Sequence, residues 1–148
     1  MRRHAVTTPI LLLALAVVLP ALAWSSMTVR NGSGSSIGRV DSDGTVRNSS
    51  GSSIGKIESG GGVRNSSGSS IGRVDSDGTI RNSSGSSVGR IDDDGTLRNG
   101  SGSSIGRLDD CTVRNGSGSS RGRFDGCVPA DRHAMAAYLF FFEPLHNH

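Results

Sequence analysis

The amino-acid sequence predicts an all-β protein built from tandem two-strand repeats, and three observations lead to that fold class. A unit of 17 residues recurs through most of the chain. The apolar positions of the unit are β-branched almost throughout and show no helical period, which favours strands over helices. Each unit also carries two glycine-containing turn sequences, as β-hairpins do.

Composition narrows the class of protein further. The chain has 148 residues, of which 33% are hydrophobic and only 4% aromatic, and 22 are glycine. That is a small supply of side chains for the core of one compact domain, so the composition argues against an enzyme of ordinary globular type. A net charge of +3 from scattered arginines, with no basic block, does not indicate nucleic-acid binding.

The first 23 residues have the pattern of a secretory signal peptide. Arg2 and Arg3 precede an apolar run from Ile10 to Leu19, and Ala21-Leu22-Ala23 fits an A-x-A cleavage site. The run is shorter than the roughly 20 residues that a membrane span needs. We therefore expect an exported protein that meets the membrane only through residues 1–23 before cleavage, followed by a short linker at 24–27.

The repeat domain is predicted to extend over residues 28–126 in six units. The units begin at Thr28, Thr45, Gly62, Thr79, Thr96 and Thr112, a spacing of 17 residues four times and then 16 once. Such a fixed period indicates a repeat architecture. The last copy is degraded, because Arg121 stands where the other units have Ile or Val and Cys111 replaces a turn glycine.

The turn sequences predict how the strands pair. A three-residue hairpin loop with Gly44 in the left-handed conformation sets Val40 opposite Val46, and the next loop, closed by Gly51, sets Val46 opposite Ile54. Strict alternation would send Ile54 and Ile57 to opposite faces of the sheet. A bulge near Gly55 is therefore predicted, because it returns both to one apolar face.

This register makes each long strand pair with one short strand over its first half and with the next over its second half. The resulting antiparallel meander is sheared, and we expect it to coil towards a barrel. The alternative is a β-solenoid in which equivalent residues of successive units stack at about 4.8 Å. A solenoid would place like-charged arginines directly over one another, which is unfavourable. The meander sets Arg39 across from Arg47, with Asp41 diagonal to Arg47.

The two cysteines are candidates for a disulfide. Cys111 and Cys127 occupy equivalent positions 16 residues apart, and an even number of cysteines in an exported protein favours pairing. Equivalent Cα atoms would lie about 5 Å apart in a solenoid and two strand spacings, or about 9.6 Å, apart in a meander. A disulfide would therefore favour the solenoid.

Acidic turns such as 41–44, 75–78 and 92–95 resemble calcium loops at first sight. The EF-hand pattern fails because it needs a carboxylate where Arg39, Arg73 or Arg90 stands and a glutamate where Ser50, Ser84 or Ser101 stands. Asp-Gly sequences serve hairpin turns well, so we interpret these residues as turn formers. The N-x-S asparagines of each unit are interpreted in the same way. The sequence predicts no metal site and no cofactor.

The arginines of the short strands form a candidate contact row, and serine rows such as Ser52-Ser53 form a second exposed surface. The arginines recur once in each unit, at Arg30, Arg47, Arg64, Arg81, Arg98 and Arg114. A regular basic row is typical of binding to an anionic polymer. Each unit also supplies an acidic neighbour, which favours a solvated, internally paired face, and no aromatic residues are interleaved for base stacking. The partner class that fits is a cell-surface polymer or glycan.

Residues 127–148 leave the repeat and hold the aromatic-rich run 134–142. This segment is expected to cap the last exposed strand or to form a poorly ordered tail. His133, His146 and His148 are weak candidates for metal binding because no Cys or Asp supports them. No nucleophile, base and orienting residue can be assembled, so no catalytic residue is predicted.

The string Asp-Gly-Thr-Val-Arg-Asn-Ser-Ser-Gly-Ser-Ser-Ile-Gly-Arg-Val resembles short tandem repeats of uncharacterised exported bacterial proteins. The resemblance covers about two-thirds of the chain and implies export and repeated β-structure without an activity. We expect a non-enzymatic exported repeat protein that acts as a structural or adhesive surface scaffold. The alternative is a carbohydrate- or ice-binding module that uses one flat face of the repeat.

Overall fold

A computed structural model describes residues 24–143 of the chain. The predicted signal peptide lies outside the described residues, as does the end of the C-terminal segment. Within 24–143, no helix combines the length and the apolar character that crossing a membrane requires.

Twelve antiparallel strands form a closed barrel in which each strand pairs with its neighbours in sequence and the first pairs with the last. The strands are β1 Met27–Asn31, β2 Ser36–Val40, β3 Thr45–Asn48, β4 Ser53–Ile57, β5 Gly62–Asn65, β6 Ser70–Val74, β7 Thr79–Asn82, β8 Ser87–Ile91, β9 Thr96–Asn99, β10 Ser104–Asp109, β11 Thr112–Asn115 and β12 Ser120–Asp125. A 3₁₀ turn at Pro129–Asp131 leads into one helix, α1, at Arg132–Phe141.

The antiparallel meander predicted from the turns is confirmed, and the solenoid alternative is wrong. All the strand pairs are antiparallel. The sheared meander curves until its first and last strands pair, with Val29 of β1 opposite Phe124 of β12. Closure pairs both edges of the sheet, so no described strand is left with an unpaired edge. β1 begins at Met27, one residue before the predicted start of the repeat, because Met27 pairs with Val40.

Both kinds of turn have the predicted three-residue geometry, except that the turn between β10 and β11 is shortened to the two residues Asp110 and Cys111, because Asp109 pairs with Thr112 and Asp110 has φ +51°. In the turn between β2 and β3, the Asp41 amide donates to the Thr45 carbonyl, and Gly44 has φ +86°. In the following turn, the Asn48 amide donates to the Ser52 carbonyl, and Gly51 has φ +85°. Both glycines are therefore in the left-handed region that this loop requires. We call the barrel end with the aspartate turns the acidic end and the other the asparagine end.

The predicted register is correct across the first turn and wrong by one residue across the second. Val40 lies opposite Val46 as expected. Val46, however, lies opposite Gly55 and not Ile54. The predicted bulge is the reason, because Ile54 is the additional residue between the pairs Arg47–Ser53 and Val46–Gly55. With the bulge in place, Ile54 packs against the same core as Ile57, as predicted.

The central helix α1 occupies the inside of the barrel. Six consecutive residues, 134–139, are all buried, so every side of this helix is covered. They form one apolar cluster with inward side chains from the strands. The helix begins at the acidic end, where the Arg132 guanidinium bonds to the Asp93 carbonyl, and runs towards the asparagine end.

The expectation that residues 127–148 cap an exposed strand or form a poorly ordered tail is therefore wrong for the part that is described. A closed barrel has no last exposed strand to cover. The aromatic-rich segment instead supplies the core that the strands, with few large side chains, cannot provide by themselves.

Candidate functional site

The six arginines of the predicted contact row lie on the outside of the barrel and share one bonding pattern. Each directs its Nε to a carboxylate and its Nη1 to the carbonyl of a turn glycine at the asparagine end. For Arg47 the partners are Asp41 Oδ2 at 2.7 Å and the Gly51 carbonyl at 3.0 Å. The same bonds recur at Arg30, Arg64, Arg81, Arg98 and Arg114. The row is thus fixed to the turns, and its charge is locally balanced.

Shared carboxylates explain how arginines tolerate being cross-strand neighbours. Arg39 lies directly opposite Arg47, as predicted. Asp41 bonds to both, at 2.8 Å and 2.7 Å, and so offsets their repulsion. Asp75 and Asp92 bridge pairs in the same way. Hydrogen bonds from Arg30, which has the larger effect, and from Arg123 lower the pKa of the Asp125 carboxyl.

The acidic turns use their carboxylates to form the turn. Asp43 Oδ1 accepts the Thr45 amide at 2.9 Å, and this hydrogen bond lowers the pKa of Asp43. Asp77 and Asp94 are bound by Thr79 and Thr96 in the same way. The interpretation of these aspartates as turn formers therefore has a structural basis in each case.

The asparagine turns are built on the asparagine side chain. Asn48 Oδ1 accepts the Ser50 amide, the Ser50 hydroxyl at 2.7 Å and the Ser52 amide at 3.0 Å. With the oxygen engaged, the amide nitrogen remains as the donor of the side chain. The same bonds are present in all six units. One end of the barrel therefore presents a ring of six equivalent turns.

Cys111 and Cys127 form a disulfide, with Cα atoms 6.0 Å apart. The expectation that a meander would hold them about two strand spacings apart is wrong. Cys111 immediately precedes β11, which pairs directly with β12, and the Cys111 carbonyl accepts the Phe124 amide at 2.8 Å. Only one strand spacing separates the two cysteines, so the pair fits a meander.

Sequence analysis missed the fit between α1 and the repeat glycines. Each long strand points one glycine into the barrel near the asparagine end. A Cβ added at Gly72 would lie 2.4 Å from the Phe141 ring, and one at Gly89 would lie 2.2 Å from Phe140. Gly55 faces Phe142, and Gly38 faces the Tyr138 hydroxyl. The sequence shows a glycine that recurs in each long strand and aromatic residues concentrated in 138–142, but no pattern in it relates the two.

Tyr138 packs inside this ring of glycines. Its side chain meets Phe124 edge to face, with ring centroids 5.7 Å apart, and is 2% exposed. Burial, reinforced by the Glu143 carboxylate, raises the pKa of Tyr138 to about 12. The phenol therefore stays protonated at physiological pH.

A cavity of about 360 Å³ opens at the asparagine end, between α1 and the wall formed by β1, β2, β11 and β12. Its lining includes Arg121, Gly122, Leu139 and Glu143. Arg121 is the residue that departs from the Ile or Val of the other units. In the described residues, no group of three or more His, Cys, Asp or Glu side chains could hold a metal ion. His133 lies at the start of α1, and His146 and His148 lie outside the described residues.

Comparison with known families identifies the fold. A family model described as 5-fold beta-flower protein matches residues 26–143. The chain belongs to this family. No curated protein and no solved structure matches the chain. The matched range includes α1 as well as the strands, so the helix belongs to the beta-flower unit. The described residues form twelve strands and therefore six hairpins, whereas the family is described as 5-fold.

Proposed function

We propose that this beta-flower protein is a non-enzymatic, exported scaffold that adheres to a cell-surface polymer or glycan. The observation that supports this proposal most directly is the ring of six equivalent asparagine turns, each bonded to an arginine of the contact row. A repeating ligand meets the same groups at regular intervals around such a ring. Several weak contacts then act together, and the overall affinity exceeds that of any single contact.

The contact surface consists of the arginine row and the asparagine turns. The Nε and Nη1 of Arg47 are engaged within the protein, so its remaining N–H groups are the ones that face a ligand. The amide nitrogen of Asn48 supplies a further donor. A surface of this kind suits hydroxyl and carboxylate groups of polysaccharides, and the absence of stacking aromatics from the row argues against nucleic acid.

Export is proposed from the signal-like sequence at 1–23, and the disulfide between Cys111 and Cys127 is in keeping with an oxidising compartment. The carbohydrate- or ice-binding alternative requires one flat face. The strands instead close into a barrel, and the contact row follows its circumference. We therefore favour a scaffold over an ice-binding module.

The test is binding of the purified protein to isolated cell-envelope polysaccharide and to a glycan array. One variant carries Arg47→Ser, Arg81→Ser and Arg98→Ser, which removes three row arginines bonded to the turns. The matched control carries Arg39→Ser, Arg73→Ser and Arg90→Ser. It removes three arginines that bond to the same aspartates, Asp41, Asp75 and Asp92, but that make no bond to an asparagine turn within residues 24–143.

We expect the row variant to lose binding and the control variant to keep it. Equal loss in both variants would indicate a general charge effect and would contradict the assigned surface. A parent protein that binds no polymer and no glycan would refute the adhesive role altogether. An ice-recrystallisation assay on the same proteins distinguishes the alternative, and inhibition by the parent protein would favour it.

A further inference from the structure

One sector of the barrel interior is not filled by the central helix. Four of the six inward glycines face an aromatic side chain of α1 or of Phe142, the residue that follows the helix. For Gly106 and Gly122, the atoms nearest to an added Cβ are backbone atoms of the neighbouring strand. Leu139 is the helix residue on this side, in a turn where Phe140, Phe141 and Phe142 occupy other directions. A shorter side chain facing a glycine leaves space between the helix and the wall.

On the side of Gly122, this space is the cavity of about 360 Å³ at the asparagine end, and Gly106 is not part of its lining. Its apolar lining comes from the wall and from the helix, in the side chains Val29, Ile37, Val113, Tyr138 and Leu139. The volume lies at the lower end of the range for small-molecule sites, which are mostly apolar with a few polar groups. Asn31, Ser120, Arg121 and Glu143 supply the polar part of the lining.

Arg121 gives this cavity a charge that no other sector has. It occupies the bulge position of β12, between the pairs Arg114–Ser120 and Val113–Gly122. The other five bulge residues are apolar, namely Ile37, Ile54, Ile71, Val88 and Ile105. Among the described residues, Arg121 makes no ion pair, whereas every arginine of the contact row makes one. The unfilled sector and the unpaired cation thus coincide.

We propose that the cavity binds a small carboxylate with an apolar body, whose carboxyl group bonds to Arg121 and whose body lies between Leu139 and the barrel wall. The charge of Arg121 complements the carboxylate, and the aliphatic lining matches the body. Glu143 lines the same cavity and disfavours a second negative charge, so the ligand is a monoanion. This site adjoins the adhesive surface proposed above at one asparagine turn, because Asn31 lines it, but it takes a different class of ligand.

The experiment titrates the purified protein with octanoate, with 3-phenylpropionate and with uncharged 1-octanol, and follows the methyl signals of Val29, Ile37, Val113 and Leu139 by NMR. The two acids distinguish an alkyl body from an aryl body. Arg121→Ile restores the residue type of the other units, so it removes the charge with little risk to folding. Glu143→Gln is the matched control, and Leu139→Phe fills the sector with a ring.

We expect at least one of the acids to bind saturably and to shift these methyl signals. Arg121→Ile should weaken that binding about tenfold or more, because a charge-assisted hydrogen bond is lost, while octanol should bind parent and variant alike. Glu143→Gln should bind as tightly as the parent or more tightly, and Leu139→Phe should abolish binding. Absence of saturable binding, equal acid affinity for the parent and Arg121→Ile, or unchanged binding by a folded Leu139→Phe variant would each overturn the proposal.

Discussion

At the scale of single residues, the inward glycines of the long strands decide what the barrel can contain. Gly72 recurs in equivalent form in each unit, and sequence analysis gave it only the role of a bulge neighbour. Its second role, to admit an aromatic ring of α1, was not predictable because the ring comes from outside the repeat. The positions of Gly72 and Phe141 become related only after the barrel closes.

Replacement of Gly72 tests this role. Gly72→Ala brings a Cβ to 2.4 Å from both the Phe141 ring and the Arg81 carbonyl. For Gly106→Ala the nearest atoms are all backbone, with the Arg114 carbonyl at 2.4 Å. We expect Gly72→Ala to lower the free energy of unfolding by about 1–3 kcal/mol more than Gly106→Ala, since overpacking adds to the backbone contact. Urea denaturation measures the free energy of unfolding of both variants. Gly60→Ala, which meets nothing, should be near neutral, and equal effects at 72 and 106 would contradict the role of the ring.

We expect the protein to lose stability in alkali because the Tyr138 hydroxyl is buried. Its pKa is raised from 10.0 to about 12 in the folded protein. Between these values the unfolded chain has lost the phenol proton while the folded protein retains it. Stability is therefore complete below about pH 10 and falls as the pH rises towards 12. Between about pH 9 and pH 11, the free energy of unfolding measured by denaturation should decrease less for Tyr138→Phe than for the parent. Equal decreases in the two proteins would contradict the assignment of this loss to Tyr138.

At the scale of elements, most of the strand structure was predictable from the repeat. Turn glycines, β-branched positions and the spacing of Ile54 and Ile57 were sufficient for the meander, the loops and the bulge. The predicted pairing of Val46 was one residue off, because the bulged residue is Ile54 and not Gly55. α1 was not predictable as a core helix, since a segment of small and aromatic residues outside the repeat gives no sign of being enclosed.

The small residues of α1 should be sensitive to enlargement. Ala137 is 0% exposed and is surrounded by inward side chains of the strands. Ala137→Leu should therefore cost about 1–3 kcal/mol in the free energy of unfolding, because the barrel cannot expand without disturbing its closed hydrogen bonding. Ala130→Leu adds the same volume at an exposed position just before the helix and should have little effect. Similar denaturation midpoints for the two variants would argue against a tightly enclosed helix.

The disulfide should matter for the stability of the whole barrel. It joins residues 16 apart in sequence. Cys127 lies just after β12, where the chain leaves the barrel wall and leads into α1. By chain entropy, a loop of this length contributes about 3 kcal/mol. Cys111→Ala combined with Cys127→Ala should lower the denaturation midpoint accordingly, and reductant should lower the midpoint of the parent but not of the double variant. An unaffected parent midpoint in reductant would contradict this role.

At the scale of the whole molecule, closure was the property that the sequence left open. Six units can form a curled open sheet or a barrel with the same turns and the same register. Barrel diameter depends on strand number, shear and tilt together, and whether the edges meet depends on what fills the interior. The Cys111–Cys127 distance was misjudged for a related reason, because counting strands between equivalent units ignored that Cys111 is adjacent to the next long strand.

The number of hairpins should therefore be matched to α1. Deletion of residues 62–78 removes β5, β6 and Gly72, the position that faces Phe141. A five-hairpin barrel has roughly five-sixths of the diameter, so we expect the deletion variant to lose cooperative unfolding and to bind a hydrophobic dye. A control that replaces 62–78 by a copy of 79–95 keeps six hairpins and should remain cooperative. Adding Phe141→Ala to the deletion variant should restore part of its cooperativity, because the ring left without a glycine is removed. A deletion variant that unfolds as cooperatively as the parent would show that closure is set by the strands alone, without the helix.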